Sequence, residues 1–209
     1  MSDLLSRPPV PGPRHSGHGH GHAHGRKHKQ PAASSPHKKH LRLQIGEVKA
    51  SAEPAVLQTL LGSCVAVCLY DPTSHIGGMN HILLPGSGTT SAGARFGEQA
   101  MELLISQLLK LGADPRALVA KAFGGANVLQ CFQSPTIGEE NARFVRQFLA
   151  AKGLPLIAQR LGGDHAVQLS FSTDTGKASV RAVDGSRLPS VSSAEEFYVH
   201  AFDTVRRPV

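Results

Sequence analysis

From Leu41 onward the chain sorts into short apolar and polar patterns. Leu41, Leu43 and Ile45 alternate with Arg42 and Gln44, the period of a half-buried strand. Ala55 to Leu61 follows Pro54 as a second strand, and Gly62-Ser63 punctuates it. Cys64 to Tyr70 is a nearly unbroken apolar run, which suits a strand buried on both faces. Asp71-Pro72-Thr73-Ser74 carries the residue choices of a type I turn, and Ile76 to Pro85 is another strand-like run beyond it. The spacing then becomes helical. Ala100, Met101, Leu104, Ile105, Leu108 and Leu111 predict a helix over Phe96 to Leu111, closed by Gly112. Ala117 to Phe123 predicts a strand that ends in Gly124-Gly125-Ala126-Asn127. Gly138 to Lys152 predicts a second helix stopped by Gly153, with Phe144, Val145, Phe148 and Leu149 on its apolar face. Three more strands are expected at Leu154–Gln159, Ala166–Ser172 and Ala178–Val183, and a last helix starts at Ser193, where Glu196 completes a capping box. The pattern describes a single mixed α/β domain with two helices against a central sheet.

Residues 1–40 have none of this periodicity. Pro, Gly, Ser and His dominate them, and they offer almost nothing to bury, so they predict a disordered tail. They also account for the charge. The full 209-residue chain has formal net charge +7, but the tail holds seven Arg/Lys against the single acid Asp3, together with eight of the twelve His. The remainder carries 15 basic and 14 acidic residues. High basicity therefore argues for no nucleic-acid partner of the folded domain. His18, His20, His22 and His24 are able to chelate a transition metal, or to be inert solvated residues.

No apolar run reaches the roughly 20 residues of a membrane span, and no central apolar stretch of a secretory signal follows the N-terminus, so no membrane insertion is expected. Three cysteines, at 64, 68 and 131, do not make a disulfide framework. A cytoplasmic protein is the expectation.

The reactive side chains of the domain are few. Cys64 follows Gly62-Ser63 at an expected strand start, where glycine permits a bend and an accessible thiol. A thiol becomes nucleophilic only beside a base or a positive field. With the hairpin centred on Pro72-Thr73, opposed residues have numbers adding to 145, which sets His81 across from Cys64. A slip of one residue would turn one of them to the other face. Two bland alternatives stand beside this pair. Cys64 and Cys68 are both suited to be small core residues with His81 a satisfied strand histidine. Cys64, Cys68, His75 and His81 together are a zinc-ligand set, though with a short gap and a flat strand. No P-loop, dinucleotide fingerprint, nucleophile elbow or HExxH helix is present.

Thr59-Leu-Leu-Gly-Ser-Cys-Val-Ala-Val-Cys-Leu-Tyr-Asp71, followed by Gly77-Gly-Met-Asn-His81-Ile-Leu-Leu-Pro85, resembles the signature of the chemotaxis protein CheD family, the bacterial chemoreceptor glutamine deamidases. The likeness continues through Ala94-Arg-Phe-Gly97, Lys121-Ala-Phe-Gly-Gly-Ala126, Asn141 and Leu161-Gly-Gly163. It implies a three-layer α/β/α-type domain with a mixed central sheet over residues 41–185, with 186–209 as an extension beyond it. It implies a catalytic Cys at Cys64 and a catalytic His at His81. The third catalytic position falls best on Thr59, with Gln58 a neighbouring polar alternative. Arg160 and Ala166-Val167 depart from the family pattern around Leu161-Gly-Gly163. The activity implied is hydrolysis of glutamine side chains to glutamate on methyl-accepting chemotaxis receptors, with no cofactor and no metal. A CheC phosphatase is the implied partner. A non-enzymatic adaptor on the same receptors is the rival, although it needs none of the three catalytic side chains.

Overall fold

The computed structural model describes residues 38–84, 91–128 and 135–183. The expected tail up to residue 37, the histidine run, Cys131, the helix from Ser193 and the C-terminal extension lie outside them. In order the elements are β1 (Lys39–Arg42), β2 (Val48–Ser51), β3 (Ala55–Leu61), β4 (Val65–Asp71), β5 (Ile76–Asn80), α1 (Ser91–Lys110), β6 (Val119–Gly124), α2 (Ile137–Ala151), β7 (Leu156–Leu161), β8 (Val167–Ser172) and β9 (Ala178–Ala182).

Two mixed sheets form. One has the order β2-β5-β4-β6-β7 and the other β1-β3-β8-β9. The pairs β1–β3 and β6–β7 are parallel and the rest antiparallel. The unbroken apolar run of β4 is explained by its place at the centre of the molecule. Val65, Val67 and Leu69 point to the helices, where Met101, Leu104 and Leu108 of α1 and Val145, Phe148 and Leu149 of α2 complete one core. Ala66, Cys68 and Tyr70 point the other way, onto Leu57, Leu61, Leu169 and Phe171 of the second sheet. The second sheet shows why its strands alternate: β3 and β8 bury every other residue against the first sheet.

The α+β class, the mixed pairing and the two helices are as expected. The layer order corrects the α/β/α type that the resemblance implied. Both helices lie on one face of the five-stranded sheet, and the four-stranded sheet covers the other. The reason is that Leu57, Leu61, Leu169 and Phe171 form an apolar face that must itself be buried, and the reverse of the central sheet buries it.

Smaller differences also have physical causes. The helix α1 starts five residues before Phe96, because Ser91 to Arg95 carry no apolar period to announce it. The edge strand β2 is only four half-buried residues, and its alternation rests on Val48 and Ala50 alone, too short a pattern to announce it. Thr136 and Glu139 form a capping box that starts α2. Lys39 and His40, assigned to the tail, pair with Ala55 and Val56, and the Lys38 ammonium holds the Asp174 carboxylate at 2.7 Å.

Candidate active site

The chain crosses from the second sheet to the central one between Leu61 and Val65, and Cys64 sits on that crossing. Its corner is braced from the loop after β6. Gly125 N–H donates to the Cys64 carbonyl at 2.7 Å, and Ala126 N–H donates to the Gly62 carbonyl at 2.8 Å. This approach requires glycine at 124, where φ is +104° and an added Cβ would lie 2.2 Å from the Cys64 carbonyl oxygen. The Phe-Gly-Gly-Ala stretch is thus a backbone cradle for the Cys64 segment.

His81 is positioned where β5 leaves β4. The Val67 N–H would meet a backbone carbonyl in a continuous ladder, but it donates to the Asn80 side-chain Oδ1 at 2.9 Å instead. The main chain of His81 turns to the segment before β2, donating to Glu47 O at 3.0 Å and accepting from Gly46 N–H at 2.8 Å. A single bridge between Val65 and Ile82 then closes the pair again.

The predicted register is corrected here. Cys68 pairs with Met79 and Asp71 with Ile76, so opposed numbers add to 147, not 145. The turn is a four-residue loop, Pro72 to His75, rather than two residues, and His75 closes it at φ +58°. The Asp71 carboxylate organises that loop by accepting from the N–H groups of Thr73, Ser74 and Asp114 and from the Ser74 hydroxyl. Burial alone would raise its pKa, but these donors win and hold it at about 2. Cys64 therefore lies across from Leu83, and His81 across from Ala66. Because the shift is by two, parity survives and both side chains stay on the face toward the second sheet. They are diagonal neighbours, a separation that an imidazole can bridge.

The second sheet contributes Thr59. Its hydroxyl lies 2.9 Å from the Leu43 carbonyl and 2.8 Å from His81 Nδ1. A threonine has one proton, and the carbonyl can only accept, so the hydroxyl donates to Leu43 O. It must then accept from His81 Nδ1–H. This assigns the tautomer: Nδ1 carries the hydrogen and Nε2 carries the lone pair. Nε2 is buried and has no hydrogen-bond partner among the described residues. Burial also drives the imidazole pKa down to about 4, against smaller opposing effects of the Leu43 carbonyl and the Glu47 charge. At neutral pH His81 is an uncharged base with its basic nitrogen unused.

All three side chains are enclosed, with relative exposures of 1% for Cys64, 6% for Thr59 and 4% for His81, which corrects the accessible thiol expected at this bend: the chain packs the corner against both cores. Gln58, the alternative to Thr59, faces away and its amide donates to Ser170 Oγ. The zinc set does not converge. His75 lies at the far end of β4, against Tyr70 Oη at 2.9 Å, roughly 20 Å of strand from Cys64. Cys68 is buried mid-strand, and burial pushes its thiol far up, so it is a core residue and not a thiolate.

One residue that the family likeness includes, but to which sequence reasoning gives no role, belongs to the site. Asn141 of α2 is fully buried, and its amide joins the Ser63 carbonyl (2.9 Å) to the Leu84 N–H (2.9 Å). A signal existed in its spacing: positions 141, 145, 148 and 149 form one buried helical stripe, in which Asn is the polar exception.

The chain resembles proteins of known name over most of the domain. It is 50% identical over 144 residues to a protein of Stenotrophomonas maltophilia strain K279a, covering 68% of this chain and 70% of that protein. It is 47% identical over 156 residues to one from Rhizobium leguminosarum bv. trifolii strain WSM2304, covering 72% and 84%. It is 42% identical over 160 residues to one from Agrobacterium fabrum, covering 75% and 87%. Each of these relatives is named a probable chemoreceptor glutamine deamidase CheD. The chain belongs to the CheD family. The family's sequence model, described as CheD chemotactic sensory transduction, matches residues 83–182, a stretch that begins just after His81. A solved structure, the Bacillus licheniformis hypothetical protein YfiH, aligns with a TM-score of 0.38 and 19% identity over 54% of this chain and 49% of that one. Membership in CheD gives the buried Cys–His–Thr arrangement a chemical context that geometry alone does not supply.

Proposed function

We propose that this CheD protein hydrolyses the side-chain amide of specific glutamines on chemoreceptors, giving glutamate and ammonia. The names of its relatives supply the substrate class. The observation that carries the mechanism is the Thr59–His81 hydrogen bond, which leaves Nε2 as an unused base on the same face as Cys64. In this reading Cys64 is the nucleophile, His81 the general base and acid, and Thr59 the residue that selects the tautomer. No cofactor or metal takes part.

Because His81 is neutral at rest, the pair starts as thiol and imidazole, and the proton moves during attack. The Cys64 Sγ–H passes its proton to His81 Nε2 as Sγ bonds to the amide carbon, and the carbonyl electrons move to oxygen. Backbone N–H groups of the Gly62–Cys64 corner meet the developing oxyanion. The carbonyl reforms as the C–N bond breaks, and the imidazolium gives its proton to the leaving nitrogen, which departs as ammonia. Water then attacks the thioester with its proton passing to Nε2. The second collapse expels Sγ, which recovers that proton, and the product is the glutamyl acid. The Thr59 oxygen stabilises the imidazolium through Nδ1–H at both stages, the role a carboxylate or amide fills in other triads.

The catalytic domain in this proposal spans 41–185, with a tail before it and an extension after it. The substrate glutamines lie on the cytoplasmic helical region of the receptors, which places the enzyme in the cytoplasm. A CheC-type phosphatase is its proposed partner. No helix among the described residues is long and apolar enough to cross a membrane.

The test incubates the full chain with a receptor cytoplasmic fragment and follows the mass change of amide to acid by peptide mass spectrometry, with Cys64→Ala and His81→Ala alongside. Conversion by wild type alone supports the mechanism. Equal conversion by all three would remove Cys64 and His81 from it, and receptor binding without conversion would make the protein an adaptor.

A further inference from the structure

The buried amide of Asn141 is not used by the chemistry above, yet it touches both segments that carry it. The helix α2 docks its first turn directly on the loop after β6: a Cβ on Gly138 would lie 2.4 Å from the Gly125 carbonyl oxygen. That close contact sets the height of the helix over the sheet. One turn further along, Asn141 reaches the Ser63 carbonyl with Nδ2 and takes the Leu84 N–H on Oδ1. Ser63 immediately precedes the nucleophile, and Leu84 lies three residues past the base.

The direction of the first bond has a chemical consequence. A trans peptide unit is planar, with its C=O and N–H pointing opposite ways. The Ser63 carbonyl is drawn toward α2, which packs on the helical face of the central sheet. The N–H of the same peptide unit belongs to Cys64, and it is thereby turned toward the other face. That is the face on which the Cys64 side chain packs with Leu57 and Leu61. Resting on the deamidase reading, we propose that Asn141 is a positioning residue that orients the Ser63–Cys64 peptide so that the Cys64 N–H meets the oxyanion formed at the substrate amide. Asn141 touches no reacting atom; it acts through the peptide it holds.

An amide is suited to this and a carboxylate is not. Nδ2 must donate while Oδ1 accepts, at full burial. Asn141→Asp separates the two functions without changing shape. When protonated, the introduced carboxyl donates O–H to Ser63 and accepts from Leu84; when ionised, it has no donor and opposes a carbonyl.

The experiment measures kcat and KM for glutamine conversion across pH 5 to 9 in wild type, Asn141→Asp and Cys64→Ala, well below each protein's unfolding temperature. Cys64, His81 and Glu140, the titratable groups on the adjoining segments, are common to wild type and Asn141→Asp, so the ratio of those two profiles isolates the introduced carboxyl. The expected ratio is near one at the acid end and falls about 100-fold in kcat as pH rises through the carboxyl's ionisation, with KM changed less than about threefold. A kcat equal to wild type throughout would overturn the proposal, as would a loss confined to KM. An equal loss in the rate of Cys64 alkylation would also overturn it, because the thiol itself would then have moved. Failure of wild type to convert glutamine, or full conversion by Cys64→Ala, strikes the deamidase reading instead and takes this proposal with it.

Should Asn141→Asp not fold, wild-type protein decides. An aldehyde analogue of the glutamine side chain adds the Cys64 S–H across its carbonyl, placing an oxygen at the oxyanion position. The Cys64 amide signal, followed by NMR with 15N-cysteine, should then move downfield as that oxygen becomes its hydrogen-bond partner. An amide signal that stays where it is in the free protein would overturn the proposal.

Discussion

Acidification should cost this protein stability through one imidazole. The unfolded chain protonates His81 near its ordinary value of 6.5, whereas the folded protein resists until about 4. A depressed folded value means that the unfolded state binds the proton first. The contribution is therefore complete above pH 6.5 and is lost as pH falls from there to 4. A gap of that size corresponds to about 3 kcal/mol, arriving at about 1.4 kcal/mol per pH unit in mid-window. The assay is urea unfolding at pH 7.5, 6.5, 5.5 and 4.5 for wild type and His81→Asn, whose amide can still donate to Thr59 but does not titrate. The Asp71 and Glu47 carboxyls are also held below their ordinary values, so they titrate lower, and they are common to both proteins. Wild type should lose stability relative to His81→Asn by about 3 kcal/mol across the window. The same ionisation should set the acid limb of kcat/KM near pH 4, well below the ordinary histidine value. A flat stability difference, or an acid limb near 6.5, would refute the claim that His81 is held neutral by burial.

Other expectations follow from the same geometry. Thr59→Val should lower kcat by about 100-fold by freeing the tautomer, and Thr59→Ser should restore most of it, both read in the glutamine assay. Cys68→Ala should leave kcat unchanged and cost about 1–2 kcal/mol in urea unfolding, as for a small core side chain. Gly124→Ala forces a Cβ into the Cys64 carbonyl at positive φ and should destabilise by more than about 2 kcal/mol, visible as a lower Tm or loss of soluble protein. Asp71→Asn removes a buried charged acceptor from the β4–β5 loop and should cost about 2 kcal/mol at pH 7; the difference from wild type should shrink as pH falls from 3.8, where the unfolded chain's carboxyl takes up its proton, to about 2, where the folded one does.

How much of this was legible depended on range. Elements with a strong local period were visible: β3, whose limits match the expected strand, and the apolar stripes of both helices. The Cys64–His81 pair was visible for a partly mistaken reason. Asp-Pro-Thr-Ser satisfies type I preferences and so predicts a two-residue turn, and nothing local shows that His75 adopts a positive φ and extends the loop. The error was even-numbered, so it moved the partners along the strand without changing their face. Thr59 was reachable only through family likeness, since its contact with His81 crosses between two sheets. The second sheet itself was invisible for the same reason: alternation in β3 and β8 says that one face is buried, not what buries it. Asn141 shows the limit most clearly, because its value lies in two hydrogen bonds to segments 57 and 78 positions away in the chain.

The division of the site between two sheets carries a consequence for the life of the protein before it is fully folded. The thiol and the imidazole belong to one sheet, and the hydroxyl that decides where the imidazole's hydrogen sits belongs to the other. A nascent or partly opened chain in which the layers have not met lacks the Thr59–His81 hydrogen bond, so neither imidazole nitrogen is assigned its task. Under the proposed mechanism, closure of the sandwich doubles as a licence: the chain gains its aimed base only when both sheets have met.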